Sequence, residues 1–321
     1  MINDPIPTTT PDVDVVTDVL FSQIMSVMGL KHPNWVSRFL FLILSSPVKR
    51  MSTMLVELDQ NISEKGCNQA TKEFMGHFVT KVDLRGAENI PEQGPLLLMC
   101  NHPAAYDVII VAACIRRDDL KILGSDVQFI KKLPNIANLI IPVPYHIPAR
   151  LQTVRASINH LKNGGALLIF PRGDVEPDPA VSPGAEQSLN GWSASLELFL
   201  RKVPQTMSVV AIASGILSKR WFKNPLIKLW KKYEQRQKVA EIFQVATQLI
   251  TGKMPKSTPM VSFSPSLSID DLGGEDAPEG TLLASLIDQA QHLLLDHPTV
   301  NLTGSSRTHP LVSKPGLTKH G

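Results

Sequence analysis

The stretch "LLLMCNHPAAYDVII", residues 96–110, sets an unbroken apolar run against a short polar seam and then a second apolar run. Five consecutive apolar residues bounded by a turn suit a strand buried on both faces, the kind found in a sheet covered by helices on each side. Pro103 suits the first position of a helix, where its missing N–H costs nothing. The pattern therefore predicts a helix over 103–116, with His102 at its N-cap and Asp107 inside its second turn.

The same alternation extends outward in both directions. Downstream, the apolar runs "LKILG", "LIIPVP", "GALLIF" and "TMSVVAIAS" are separated by a short helical stretch near residue 126 and by helical stretches over 150–163 and 184–201. "VTKVDLRG" precedes the seam, and "PMVSFSPSLSI" (259–269) adds a late strand before a final helix over about 280–295. Strands alternating with helices imply an α/β fold with a mixed, mostly parallel sheet flanked by helices. Upstream, residues 14–78 are helical in pattern, with breaks expected at Pro33 and Pro47, and form an N-terminal helical element. The expected organisation is a disordered N-terminus over 1–13, this helical element over 14–78, a main domain over 79–296 and a flexible tail over 297–321. No internal repeat is present.

Composition narrows the functional classes. The 321 residues are 43% hydrophobic and 19% charged, with a net charge of +3, which fits a globular chain with a sizeable core. Three cysteines without ligand spacing point to a reduced compartment rather than a disulfide framework. Asp4, Asp12, Asp14 and Asp18 crowd the start, so no secretory signal is expected. The run "FLFLILSSPV" (39–48) is about half the length of a bilayer-spanning helix and suits a segment lying on a membrane. The chain lacks the broad positive excess of a nucleic-acid-binding protein.

His102 and Asp107 carry the chemistry. With the histidine off the helix, its ring can fold back onto the Asp107 carboxylate, which would fix the tautomer and leave the other nitrogen free to take a proton. The same spacing also fits a histidine capping a helix and an aspartate on its solvated face. For this short pattern alone the capping reading is the commoner one; position shifts the balance towards chemistry, because α/β sheets place their ligands outside the carboxyl ends of the strands.

"NHPAAYD" resembles the N-H-x4-D box of the glycerolipid acyltransferases, the family that includes 1-acylglycerol-3-phosphate acyltransferase. "GGALLIFPRGDVEPDP" resembles that family's second signature, a strand ending in F-P-E-G-T, and "IIPVPYHIPARLQTVRASINHLKNGG" resembles the block between the two. "PGAEQSLNGWSASLELFLRKVPQTMSVVAIASG" resembles the helix and strand that follow. The blocks cover roughly residues 79–270 in the family's order.

The resemblance implies an O-acyltransferase of phospholipid biosynthesis that moves a fatty acyl group to a lysophospholipid or glycerol-phosphate-like hydroxyl. Acyl-CoA or acyl carrier protein would serve as donor, with no metal and no other cofactor. His102 and Asp107 would be catalytic; Arg150, Phe170, Pro171, Arg172, Gly173 and Asp174 would bind the acceptor. Two positions of the second signature depart from the pattern, Arg172 where the family has Glu and Asp174 where it has Thr, and the middle arginine is displaced, with Tyr145 and His146 after the strand and Arg150 the first arginine. Arg172 can hold a phosphate or carboxylate, since a guanidinium fork suits either, or it can pair with Asp174, Glu176 or Asp178 in a structural network. A lipid ester hydrolase using the same His–Asp pair, or a catalytically altered lipid-binding homologue, stay open as alternatives. No G-x-S-x-G elbow is present to support a serine nucleophile of that type.

One further segment stands apart. "SKRWFKNPLIKLWKKYEQRQK" (218–238) holds eight Lys or Arg residues and a single acid, interleaved with Trp221, Phe222, Leu226, Leu229, Trp230 and Tyr233. On one helix, that pattern suits an anionic membrane surface; it also suits an insertion packed on the sheet with solvated lysines. The expected placement is peripheral, on the cytoplasmic face of a membrane.

Overall fold

The computed structural model describes residues 11–30, 35–255 and 258–298, apart from the side chains of Val36 and Ile147. Most of the expected N-terminal and C-terminal tails, and the expected break at Pro33, lie outside these residues. Three helices open the chain: α1 (Val13–Val27), α2 (Trp35–Lys65) and α3 (Cys67–Met75). The α/β alternation follows: β1 (Asp83–Arg85), β2 (Leu96–Cys100), α4 (Asp107–Cys114), β3 (Leu120–Ser125), α5 (Pro134–Leu139), β4 (Ile140–Val143), α6 (Arg150–Lys162) and β5 (Ala166–Ile169). Then come α7 (Ala185–Leu189), α8 (Ser195–Lys202), β6 (Met207–Ser214), α9 (Lys219–Phe222), α10 (Tyr233–Thr251), β7 (Met260–Phe263) and α11 (Thr281–Asp296).

The seven strands form one sheet in the order β1-β7-β6-β2-β5-β3-β4. β2 pairs in parallel with both β5 and β6, whereas β7 runs antiparallel to β6. The sheet is mixed and mostly parallel, as the alternating pattern implies. The strand at the seam is central, which explains its lack of polar residues: alternate side chains point to opposite faces and both faces are covered. Leu96, Leu98 and Cys100 enter the core beneath α2, α3, α4 and α10, and Leu97 and Met99 enter the core beneath α6, α8 and α11.

Three helical expectations are corrected. α2 runs through Pro47 without a break; the ring removes the N–H that would reach Ile43, but Ile43 lies on an exposed turn where water can take the freed carbonyl. The interruption falls instead at Gly66, whose φ of 81° is a left-handed value that favours glycine. The helix expected over 184–201 is two, α7 and α8, separated by the turn around Gly191. The basic segment 218–238 is not one helix but α9, a 3-10 turn over Pro225–Leu229 and the start of α10.

α2 also revises the expectation drawn from its apolar run. Because it is continuous, Ser37–Lys65 is long and apolar enough to cross a membrane, although 39% of its most apolar window is buried inside the molecule. Trp35, Phe39, Phe41, Leu42 and Ile43 at its N-terminal end are exposed. At the other end of the chain, His297 is buried and bridges two strands, with Nε2 2.7 Å from Ser214 Oγ and Nδ1 2.8 Å from Ser262 Oγ.

Candidate active site

The seam after β2 is not a helix N-cap. Residues 103–106 form a turn, and α4 begins only at Asp107, so Pro103 lies outside the helix and Asp107 in its first turn. Tyr106 stands at the cap position without a side-chain cap. This later start changes the geometry in favour of the pair. The turn carries the imidazole back over the helix mouth, where His102 Nδ1 lies 3.0 Å from each Asp107 carboxylate oxygen. Asp107 Oδ2 also accepts the Ala104 N–H at 3.1 Å.

Asp107 is fully buried, whereas the His102 side chain keeps 19% of its surface. Nδ1 is committed to the carboxylate, and Nε2 makes no hydrogen bond among the described residues. Burial by itself would push His102 down; the charge and hydrogen bond of Asp107, with Glu241 and Glu176, outweigh it and hold the imidazole above its ordinary 6.5. Burial raises Asp107 itself, offset in part by His102. An ionised, buried acid on one nitrogen and a free second nitrogen make a general base.

The loop after β5 closes one side. The His102 and Phe170 rings lie 4.5 Å apart between centroids. Gly173 has φ 74° and its N–H donates to Phe170 O at 3.0 Å, a tight turn that holds Pro171 and Arg172 at the tip. Arg172 is 33% exposed, and its ion partner at 3.7 Å is Glu234 of α10, none of the three acids expected from the sequence. Asp174 pairs instead with Lys238 at 2.7 Å, and that lysine holds its carboxyl below the usual range against the opposing effect of burial. The two departures from the second signature are thus matched by Glu234 and Lys238, one helical turn apart on α10.

Glu176 and Asp178 are buried and serve the backbone. Glu176 Oε2 accepts the His102 N–H at 3.0 Å, and its own N–H donates to His102 O at 2.7 Å. Asp178 accepts the N–H groups of Ala180, Gly215, Ile216 and Leu217 at 2.9–3.2 Å, anchoring the loop that leaves β6; burial still pushes it up to about 6. Arg150 stands at the first residue of α6, exposed, with Nε donating to Pro144 O at 3.2 Å. It follows β4 at the sheet edge, separated from β2 by β5 and β3. Cys100 adjoins the seam but is wholly buried, and burial, then Asp107 and Glu176, raise its thiol well above the ordinary value. It is therefore no thiolate nucleophile.

The basic segment 218–238 reaches the first turns of α10, but its composition gave no sign of the helix's buried face. Gln237, Glu241, Gln244 and Gln248 make a buried polar stripe at spacings of four, three and four. Gln237 Nε2 donates to Pro103 O and to Glu176 O. Glu241 accepts from Ala105 and Tyr106, and Gln244 Nε2 donates to the Tyr106 hydroxyl at 3.0 Å. The signal was present as polar residues at apolar helical spacing, but only the fold shows that the first three face the seam, whereas Gln248 Nε2 donates to Phe78 O.

Residues 81–190 match the family model described as Acyltransferase. The matched residues are similar to the acyltransferase family. The matched region contains both the His102–Asp107 pair and the Phe170–Asp174 loop. No curated protein matches the sequence. Among solved structures, the chain is similar to the crystal structure of the 1-acyl-sn-glycerophosphate (LPA) acyltransferase PlsC from Thermotoga maritima, at 13% identity and a TM-score of 0.38, over 87% of this chain and 96% of that one.

The basic segment packs more deeply than its composition suggests. Trp221 stacks with Phe243, Phe222 is buried beneath Arg236 beside Tyr233, and the Trp230 indole donates to Met28 O at 2.9 Å. Leu226 and Leu229 of the 3-10 turn remain outward, 66% and 75% exposed, with Lys228 between them and Lys231 and Lys232 just beyond. The Trp230 bond ties this turn to the end of α1.

Proposed function

We propose that this protein is an acyltransferase that moves a fatty acyl group from a thioester, acyl-CoA or acyl carrier protein, to a hydroxyl of a lysophospholipid or glycerol-phosphate-like acceptor. The observation that carries the reading is the His102–Asp107 contact at 3.0 Å with Nε2 left free. In this scheme Nε2 takes the acceptor hydroxyl proton as the oxygen bonds to the thioester carbonyl carbon. Asp107 supports the imidazolium that forms. The tetrahedral intermediate then collapses, the C–S bond breaks, and the thiolate leaves with the proton returned from His102. Direct transfer agrees with a Cys100 that is buried and protonated.

Arg172 and Arg150 are the proposed contacts for an anionic acceptor group. Arg172 is held by a long ion pair with a half-buried glutamate, so an incoming phosphate can replace Glu234 as its partner with better, bidentate geometry. Phe170, Pro171, Gly173 and Asp174 shape the same loop. Attachment is proposed to be peripheral, on the cytoplasmic face of an anionic membrane, through the exposed N-terminal half of α2 and the Leu226–Leu229 turn with its lysines. Apolar residues inserted beside basic ones suit the headgroup boundary.

A labelled acyl-CoA assay against a panel of lysolipids tests the reading. Acyl transfer to a lysolipid supports it. Release of free fatty acid would identify a hydrolase, and no turnover would identify a lipid-binding homologue.

A further inference from the structure

The four residues between His102 and Asp107 have little local means of holding their shape. Pro103 has no N–H, both alanines lack polar side chains, and α4 starts without a side-chain cap at Tyr106. The first N–H groups of a helix and of the turn before it have no intrahelical acceptor, and leaving them buried and unpaired is costly. Here Ala104 is satisfied by Asp107, but Ala105 and Tyr106 are satisfied by a carboxylate from another helix. Glu241 Oε2 accepts from Ala105 N at 2.9 Å and Oε1 from Tyr106 N at 3.0 Å. The donors stand 136 and 135 residues away in the chain.

We propose that Glu241 is a positioning residue: its carboxylate caps the mouth of α4 from α10 and fixes the turn that sets the His102 ring against Asp107. Two independent facts support the assignment. The contact uses both oxygens on two adjacent N–H groups, which fixes the direction of the turn and not merely its distance. Gln237, one helical turn earlier on the same face, holds the carbonyl of Pro103 and that of Glu176, so donors and acceptors of the turn are gripped from one helix. Burial of a carboxylate is unfavourable unless hydrogen bonds compensate it, and burial raises this one to about 7. An acid retained there at that cost has the N–H groups of the turn as its return.

The inference rests on the acyl-transfer reading of His102, and the experiment separates the two. Glu241→Gln keeps the size of the side chain but offers one oxygen and one NH2, so one of the two backbone donors loses its acceptor. Steady-state transfer, thermal melting and hydrogen exchange of the peptide spanning 101–110 are measured for the wild type, for E241Q and for Glu241→Asp, whose shorter arm withdraws the carboxylate. The expected result is a loss of kcat of about 10- to 100-fold, since small misplacements of a reacting group have effects of that order. KM for donor and acceptor should stay within about twofold, and exchange should rise in the 101–110 peptide above the rest of the chain.

Gln248→Met serves as the comparison, because Gln248 lies on the same face but bonds Phe78 O; it should lower stability without changing kcat. Folded E241Q and E241D with wild-type kcat and unchanged exchange at 101–110 would overturn the proposal, as would failure of both to fold, which would make Glu241 a support of the whole domain. A wild type without transfer would refute the acyl-transfer reading, and the exchange of the 101–110 peptide would still decide whether Glu241 holds the turn.

Discussion

Replacing Asp107 by Asn isolates what the buried acid contributes. The two side chains have the same shape, so packing at a fully buried site is preserved. The hydrogen-bond pattern is not. Asp107 accepts from Nδ1 with both oxygens within 3.0 Å and from the Ala104 N–H at 3.1 Å. Asn has a single acceptor oxygen. If that oxygen faces Ala104, the NH2 faces Nδ1 and forces the tautomer whose proton sits on Nε2, which cannot act as a base. If it faces Nδ1, the NH2 opposes the Ala104 N–H and the turn loses a bond.

In either orientation the imidazolium loses its counter-charge. General base catalysis is worth about 10²–10⁴ in rate, and the same substitution in a Ser-His-Asp triad lowers kcat by about 10⁴. The expected loss is therefore about 10²–10⁴ in kcat, or about 3–5 kcal/mol of transition-state stabilisation at 1.36 kcal/mol per tenfold. Thiol release from acyl-CoA, followed with a thiol reagent at saturating acceptor, measures it, and circular dichroism confirms the fold. A folded D107N variant with kcat within about threefold of wild type, against the 10² floor for a lost base, would refute the assignment of Asp107 as the orienting acid.

Three other outcomes follow from the same geometry. Because His102 is held above 6.5 and works in its neutral form, kcat/KM should rise with pH through a value above the ordinary histidine range; in D107N that limb should move to lower pH as the carboxylate that raises the imidazole is gone, and a limb that stays in place would contradict the coupling. Changing Lys228, Lys231 and Lys232 together to Gln should weaken binding to anionic vesicles by up to about a hundredfold, at about 1 kcal/mol per charge, with activity on a soluble short-chain acceptor retained; salt-insensitive co-sedimentation equal to wild type would assign attachment to α2 alone. Asp178→Asn leaves the Ile216 and Leu217 N–H groups, or those of Ala180 and Gly215, facing an NH2, so stability in urea should fall by about 2–6 kcal/mol at about 1–3 kcal/mol per unpaired buried group; an unchanged midpoint would show that the loop after β6 is held by other means.

The central strand and its reactive end were legible because a buried parallel strand leaves a plain mark, an apolar run that stops at a turn. The start of the following helix was not. Pro103 obeys the local rule for a first helical residue, but the N–H groups at 104–106 are claimed by Asp107 and Glu241, and the second of these bonds joins positions with no readable spacing. The charge at Arg172 and Asp174 was visible as a departure, yet its partners Glu234 and Lys238 belong to a helix that the composition of 218–238 had marked for another role. That composition counted charges and rings correctly, but Phe222, Trp221 and Trp230 turn inward and only Leu226 and Leu229 remain on the surface. Pro47 failed as a breaker because the bond it removes falls on an exposed turn.

The most direct test of the account is transfer of a radiolabelled acyl group from acyl-CoA to a lysophospholipid by wild-type protein and by His102→Ala, with both folds verified by thermal melting. Labelled diacyl product is expected from the wild type, and a loss of at least about 10² in kcat on removing the base, with the variant still folded but melting lower because the buried Asp107 carboxylate loses a partner. Transfer by folded His102→Ala at the wild-type rate would contradict it.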